Sequence, residues 1–222
     1  MLSLFQRASI RAGINPQYSH GFNPRPKISL PLPRPVGVES DDELLMIAVC
    51  VESELNDPYE TYEILFLKNL SSQLPDGCEL QSINIVREKP SFQPCCASYI
   101  FTLHQEYLNE KLENRINSIL SSKSLVVSRS IDNKGRPRNG PAATEHEPGG
   151  SVAKKIDLRD FLISIITEHN SIIVKYKISS AGTIRIQEIM QLLELETEMF
   201  AHPIKRTNVQ WQGIWQEKCS ST

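Results

Sequence analysis

Between Asn15 and Val36 the chain carries six prolines, Pro16, Pro24, Pro26, Pro31, Pro33 and Pro35. Each fixes its own φ, removes an amide donor and biases the preceding residue toward extended geometry. The stretch therefore cannot be a helix or a central strand, and is expected as a loop with an edge strand. It separates an N-terminal helix from everything downstream. That helix is read from Leu4, Phe5, Ala8 and Ala12, whose spacing of three to four puts them on one face, and Gly13 stops it.

Downstream of the prolines the apolar pattern changes period. Residues 44–51 form a continuous apolar run, as in a strand buried on both faces. Asp57 and Pro58 suit the N-cap and first position of a helix running to about Leu74, ended by Pro75, Asp76 and Gly77. Residues 79–87 then read as a strand. A second set follows: strand 98–105, helix 107–120, strand 124–130, a hairpin of 161–167 with 171–179 about Glu168, His169 and Asn170, helix 186–195 and strand 204–211. Residues 132–153 hold glycines, prolines and mixed charge without periodicity, and are expected as a flexible insertion. The fold class implied is α+β, two ferredoxin-like βαββαβ-type modules. The first module, 1–96, would lack its N-terminal strand because the chain opens directly on a helix; the second is 97–222.

With 40% hydrophobic and 23% charged residues, 222 residues suffice for one or two packed cores. Net charge is only -2, so affinity for nucleic acid or acidic membrane must be local. Charge is in fact segregated. No acid precedes Glu39, whereas Arg7, Arg11, Arg25, Lys27 and Arg34 do; from there to Val86, eleven acids face Lys68 alone. Asp41, Asp42 and Glu43 lack the alternating ligands and distal glutamate of a calcium loop, so a solvated turn is expected. Glu39 and Ser40 could instead fold back on Arg11 or Arg25 and brace the loop.

Five cysteines (Cys50, Cys78, Cys95, Cys96 and Cys219) form no C-x-x-C pair, and no histidine pair has zinc spacing. No metal is expected. Vicinal Cys95 and Cys96 read as ordinary thiols entering a strand. A reducing, cytoplasmic setting fits, and no apolar run approaches the ~20 residues of a membrane span.

The segment Tyr18-Ser19-His20-Gly21-Phe22-Asn23-Pro24-Arg25-Pro26-Lys27 has the composition of a ligand loop. Gly21 permits close backbone approach to an anion, His20 and Asn23 supply directional hydrogen bonds, and Arg25 can fork onto phosphate or carboxylate. Tyr18 and Phe22 can stack on a base. The same residues also suit a proline-stiffened loop with solvated arginines and with Phe22 plugging a core. Farther on, Asp157 and Arg159 form either a base-bearing site or a local ion pair, and Arg206 beside Lys205 is a second anion contact or a plain strand cation.

At Tyr18–Pro26, then Ile28–Pro33, Gly37–Ser40 and Glu43, the sequence resembles a bacterial radical-SAM-linked family of unknown function. Its pattern is Y-S-x-G-F-N-P-x-P, an apolar Leu-Pro segment, and G-V-E-S with a glutamate; Asp157–Arg159 and Arg206–Thr207 resemble its later D-L-R and R-T elements. This chain has His20 and Arg25 where the pattern has glutamine and histidine, and it begins inside the strand and loop that open the family's sequence. The resemblance implies a domain fused to, or encoded beside, radical SAM proteins. No C-x-x-x-C-x-x-C is present to ligate their cluster, so the iron–sulfur cluster and S-adenosylmethionine are expected only in a partner.

Three functional readings follow. The first is a non-catalytic accessory module that presents RNA or another anionic substrate to a radical SAM protein, or docks that protein, through Arg11, Ser19, His20, Gly21, Phe22, Asn23, Arg25, Lys27, Asp157, Arg159 and Arg206. The second is an RNA-modifying or nucleotide-directed enzyme in which Asp157 works with His20 and Asn23. The third is a purely structural protein–protein adaptor.

Overall fold

The computed structural model describes residues 2–49, 59–87, 90–131 and 152–213. The chain is α+β, and its contacts divide it into two compact units. One unit comprises Met1–Val36, Asp42–Pro94 and Trp211–Thr222; the other comprises Gly37–Asp41 and Cys95–Gln210. The insertion expected at 132–153 lies outside the described residues up to 151.

In the first unit, α1 (Leu2–Arg11) buries Ala8 and Ser9, with Ser9 Oγ donating to the Phe5 carbonyl at 2.7 Å. Small side chains there let α2 (Tyr59–Ser71) approach, and Ala8, Ala12, Ile14 and Leu70 form a core to which Phe66, Leu74, Leu80 and Ile83 add. The expected start of α2 at Asp57 and Pro58 lies outside the described residues. Of the doubly buried strand expected over 44–51, residues 50 and 51 lie outside the described residues, and over 44–49 no such strand forms. A two-residue strand, β1 (Ile28–Ser29), pairs antiparallel with β3 (Met46–Ile47), and both residues of β3 are half-exposed. Prolines at 26 and 31 bracket β1 and cut the ladder short.

The strand expected over 79–87 is likewise absent among the described residues. These residues answer to α2 and not to a sheet: the Ile85 amide donates to Glu63 Oε1 at 2.6 Å. Arg87 Nε donates to the Tyr59 hydroxyl at 2.9 Å, and its guanidinium lies 5.4 Å from the Tyr59 ring centre. Alternating apolar residues needed a greasy surface, and a helix supplied it as well as a sheet would.

The second unit is built on a five-stranded sheet of order β2-β9-β4-β8-β7, formed by β2 (Glu39–Ser40), β4 (Gln93–Thr102), β7 (Leu162–Glu168), β8 (Ser171–Lys177) and β9 (Lys205–Gln212). The period-two pattern decides which face is covered: Ala97, Tyr99 and Phe101 alternate inward on β4, continued by Leu103 just past its end, opposite Ile172, Val174 and Tyr176 on β8. Burying each of the large aliphatic and phenylalanine side chains among them contributes about 1.5–3 kcal/mol. Tyr99 and Tyr176 stack with centroids 5.4 Å apart, and burial, reinforced by the Tyr99 hydroxyl, pushes the Tyr176 phenol far above its usual range. The expected hairpin is present: Glu168 pairs with Ser171, and His169 turns the chain at φ 52°.

Helices α3 (Glu110–Ser121) and α4 (Ile186–Leu193) pack together, with Arg115 Nε donating to the Leu192 carbonyl at 2.7 Å. Asn109 caps α3 by accepting from the Leu112 amide. The strand expected over 124–130 is present as β5 (Val126–Ile131), which pairs with β6 (Val152–Asp157) in an antiparallel ribbon separate from the five-stranded sheet. Cys95 and Cys96 lie on β4 as free thiols, with Cys95 Sγ donating to the Gln210 carbonyl. Among the described residues no helix is long and apolar enough to cross a membrane.

Candidate functional site

Two alternating prolines explain how the loop of the first unit is held. Pro24 and Pro26 have no amide hydrogen, so the leg they sit on can donate only through Arg25 and Lys27. Both amides are spent on the opposite leg: Arg25 N–H donates to Ser19 Oγ at 2.9 Å, and Lys27 N–H to the Gln17 carbonyl at 2.7 Å. Ser19 returns its own amide to the Arg25 carbonyl at 2.8 Å, so serine and arginine clasp each other twice. One further link anchors the base, since Gln17 N–H reaches the Ala48 carbonyl and Ala48 N–H reaches that of Lys27. Gln17 also donates from Nε2 to the Val49 carbonyl and accepts from Lys27 Nζ at 3.4 Å. Sequence reading missed Gln17, whose only signal was its place ten residues before Lys27.

Residues 20–24 therefore project as a tip on a fixed base. Gly21 sits at φ 134°, a conformation that side chains with a Cβ rarely adopt. Phe22 is 101% exposed and so plugs no core, and Tyr18 on the adjoining leg is 44% exposed. His20, Asn23, Arg25 and Lys27 are also exposed. Among the described residues, the side chains of His20, Asn23 and Arg25 have no hydrogen-bond partner, and no carboxylate pairs with Arg7, Arg11, Arg25, Lys27 or Arg34. Arg11 closes α1, where a cation meets the negative end of the helix dipole.

Asp157, Arg159 and Arg206 belong to the second unit. Asp157 ends β6 with both carboxylate oxygens engaged: Oδ2 accepts from the Ser124 hydroxyl at 2.6 Å, and Oδ1 from the amides of Leu125 and Arg159 at 2.8 and 2.9 Å. These bonds, the serine's above all, hold its pKa below the ordinary aspartate value. A carboxylate so held is a poor proton acceptor. Arg159 meets it through its backbone amide, in place of the expected pairing of side chains, and Arg159 Nη1 is buried without a hydrogen bond among the described residues. Leu158 between them is fully buried, so the Asp-Leu-Arg run works as a turn pinned at both sides of a core residue.

Arg206 is 1% exposed on β9, with its Nε donating to Ser40 Oγ at 3.4 Å. The braces expected between Glu39, Ser40 and the arginines at 11 and 25 are replaced here. β2 pairs parallel with β9, placing Glu39 opposite Lys205 and Ser40 opposite Arg206, and Lys205 Nζ lies 3.4 Å from Asp41 and 4.0 Å from Glu39. The Gly-Val-Glu-Ser and Arg-Thr segments, 166 residues apart at Ser40 and Arg206, are thus neighbours in one sheet. Among the described residues no group of three histidine, cysteine or acidic side chains is placed to hold a metal.

No curated protein matches this sequence. A model of a family described as an uncharacterized protein conserved in bacteria, DUF2344, matches residues 1–188, and it is to this family that the chain belongs.

Proposed function

We propose that the chain is a non-catalytic accessory module that captures an anionic substrate on the Ser19–Lys27 loop and presents it to a separate catalyst. The observation that carries this reading is a clasped, acid-free tip whose guanidinium at Arg25 has no partner among the described residues while Phe22 stands wholly in solvent. A charged group left unpaired at a rigid position retains its full capacity to bind an anion.

The catalyst we assign is a radical SAM protein, which would hold the iron–sulfur cluster and S-adenosylmethionine, and the substrate class is RNA. The sequence pattern at Tyr18–Pro26 and the lack of a C-x-x-x-C-x-x-C run support that assignment, and the unpatterned cysteines support a cytoplasmic setting. The run β4, α3, β7, β8, α4, β9 with strand order β9-β4-β8-β7 supports reading the second unit as ferredoxin-like, with the β5–β6 ribbon inserted. An enzymatic role for Asp157 finds no comparable support, because its oxygens already serve Ser124, Leu125 and Arg159.

The test is an electrophoretic shift of bulk tRNA and rRNA fragments at two salt concentrations. We expect a shift that weakens with salt and is reduced by Arg25→Ala with Lys27→Ala. No shift, or one indifferent to both substitutions, would refute the capture role; failure of a tagged chain to co-purify with a co-expressed radical SAM protein would refute the partner.

A further inference from the structure

The geometry of the tip points to a narrower ligand: we infer that the loop recognises single-stranded RNA, with Phe22 as a stacking platform for an unpaired base and Arg25 and Lys27 as clamps on the adjoining phosphates. The inference rests on the capture role proposed above and specifies its chemistry.

A fully exposed phenylalanine costs free energy in water, and at 101% exposure Phe22 recovers none of it within the chain. Its position is nevertheless defined, because the double clasp between Ser19 and Arg25 closes the loop three residues away on either side. A ring held in the open presents both faces. Duplex bases are already stacked on one another, so an isolated ring gains little from them; an unpaired base has a free face to give.

The cations are arranged to match. Arg25 and Lys27 are two residues apart on one leg, hence on the same face of it, with Pro26 between them on the face it shares with its bridge partner Tyr18. Two strand residues span about 7 Å, a distance over which one polynucleotide backbone can touch both. Aromatic tip and paired cations together satisfy the two requirements of sequence-tolerant single-strand binding, a π-face for the base and positive charge for the backbone. A membrane surface fits less well, since insertion of a tip wants several apolar residues and His20, Asn23 and Pro24 flank Phe22 here.

Fluorescence anisotropy on the full chain tests this with four probes: a mixed-sequence 20-nucleotide RNA, the same RNA as a duplex, heparin, and vesicles of phosphatidylserine and phosphatidylcholine. We expect the single strand to bind at least about tenfold more tightly than the duplex. Phe22→Ala should weaken it roughly 5- to 100-fold without changing the salt dependence, and Phe22→Trp should retain affinity. Replacing both Arg25 and Lys27 by alanine should lower the salt slope by about 1.4. Because Phe22 is wholly exposed, its substitution leaves the melting temperature unchanged, which is checked alongside. Equal binding of strand and duplex, preference for vesicles, or an affinity indifferent to Phe22→Ala overturns the inference. Duplex or heparin binding that still depends on Arg25 and Lys27 would leave the capture role standing while removing the stacking; no binding to any polyanion would remove both.

Discussion

At Asp157 a single carboxylate satisfies three donors, and its ionised form is the one they favour. Its pKa lies below the ordinary aspartate value of 3.8 in the folded chain, so the group contributes stability that is present above about pH 4 and is lost as pH falls through the folded value. Asp157→Ala should therefore lower the urea midpoint at pH 7, and the deficit should shrink as pH falls through the folded value. Asp157→Asn, which keeps one acceptor oxygen, should fall between them. A deficit that does not change between pH 7 and pH 3 would show that the carboxylate's charge is irrelevant. Ser19 is a milder case. Its Oγ accepts from the exposed Arg25 amide, which water can also serve, so Ser19→Ala should cost about 0.5–1 kcal/mol locally. Hydrogen exchange is the suitable reading: the Arg25 amide should lose most of its protection while amides of β4 and β8 keep theirs. Unchanged exchange at Arg25 would mean that the clasp is not what shapes the loop.

Among the elements, the β5–β6 ribbon depends on a contact that no periodicity reveals. Arg129 on β5 grips Glu188 on α4 with both its Nε and Nη2, at 2.7 and 2.8 Å, and Nη2 also donates to the Thr183 carbonyl at 3.0 Å. The side chains are only 15% and 9% exposed, and Glu188 accepts the Arg185 amide as well. Glu188→Ala strands a nearly buried guanidinium and should cost about 3–5 kcal/mol, whereas Arg129→Met with Glu188→Leu should return to within about 1 kcal/mol of the parent. Chemical denaturation decides it; a single substitution as mild as the double one would mean the pair carries no such burden. The same contact marks where sequence reading reached its limit. Helix α1, the hairpin of β7 and β8, α4 and β9 were legible because each advertises its own period. Strands β1 and β3, two residues each, and β2, whose partner lies 166 residues on, carry no local signature. Residues 79–87 alternate as a strand does, yet alternation states only that one side is greasy. In the candidate site, the charge, the glycine and the aromatic residues were legible, while the clasp by Ser19 and the support by Gln17 required the fold.

The whole molecule bears a net charge of -2, yet its first 38 residues are uniformly cationic and the next 48 carry eleven acids against one lysine. Averaged over distances beyond the ~8 Å screening length at physiological ionic strength, such a distribution exerts little net pull on a polyanion. Whatever affinity the protein has for RNA must then come from cations in direct contact, and salt dependence counts them. Each phosphate neutralised on a single strand contributes about -0.7 to the slope of log affinity against log salt. If the contact is confined to Arg25 and Lys27, raising salt from about 50 to about 200 mM should weaken binding roughly sevenfold. If Arg7, Arg11 and Arg34 also engage, five contacts give a slope near -3.5 and a loss of roughly 130-fold over the same range. We expect the smaller figure, because the clasp fixes only the Arg25–Lys27 leg beside the exposed ring of Phe22. A loss above about 50-fold would instead assign binding to the entire acid-free segment and deny the tip its privileged place.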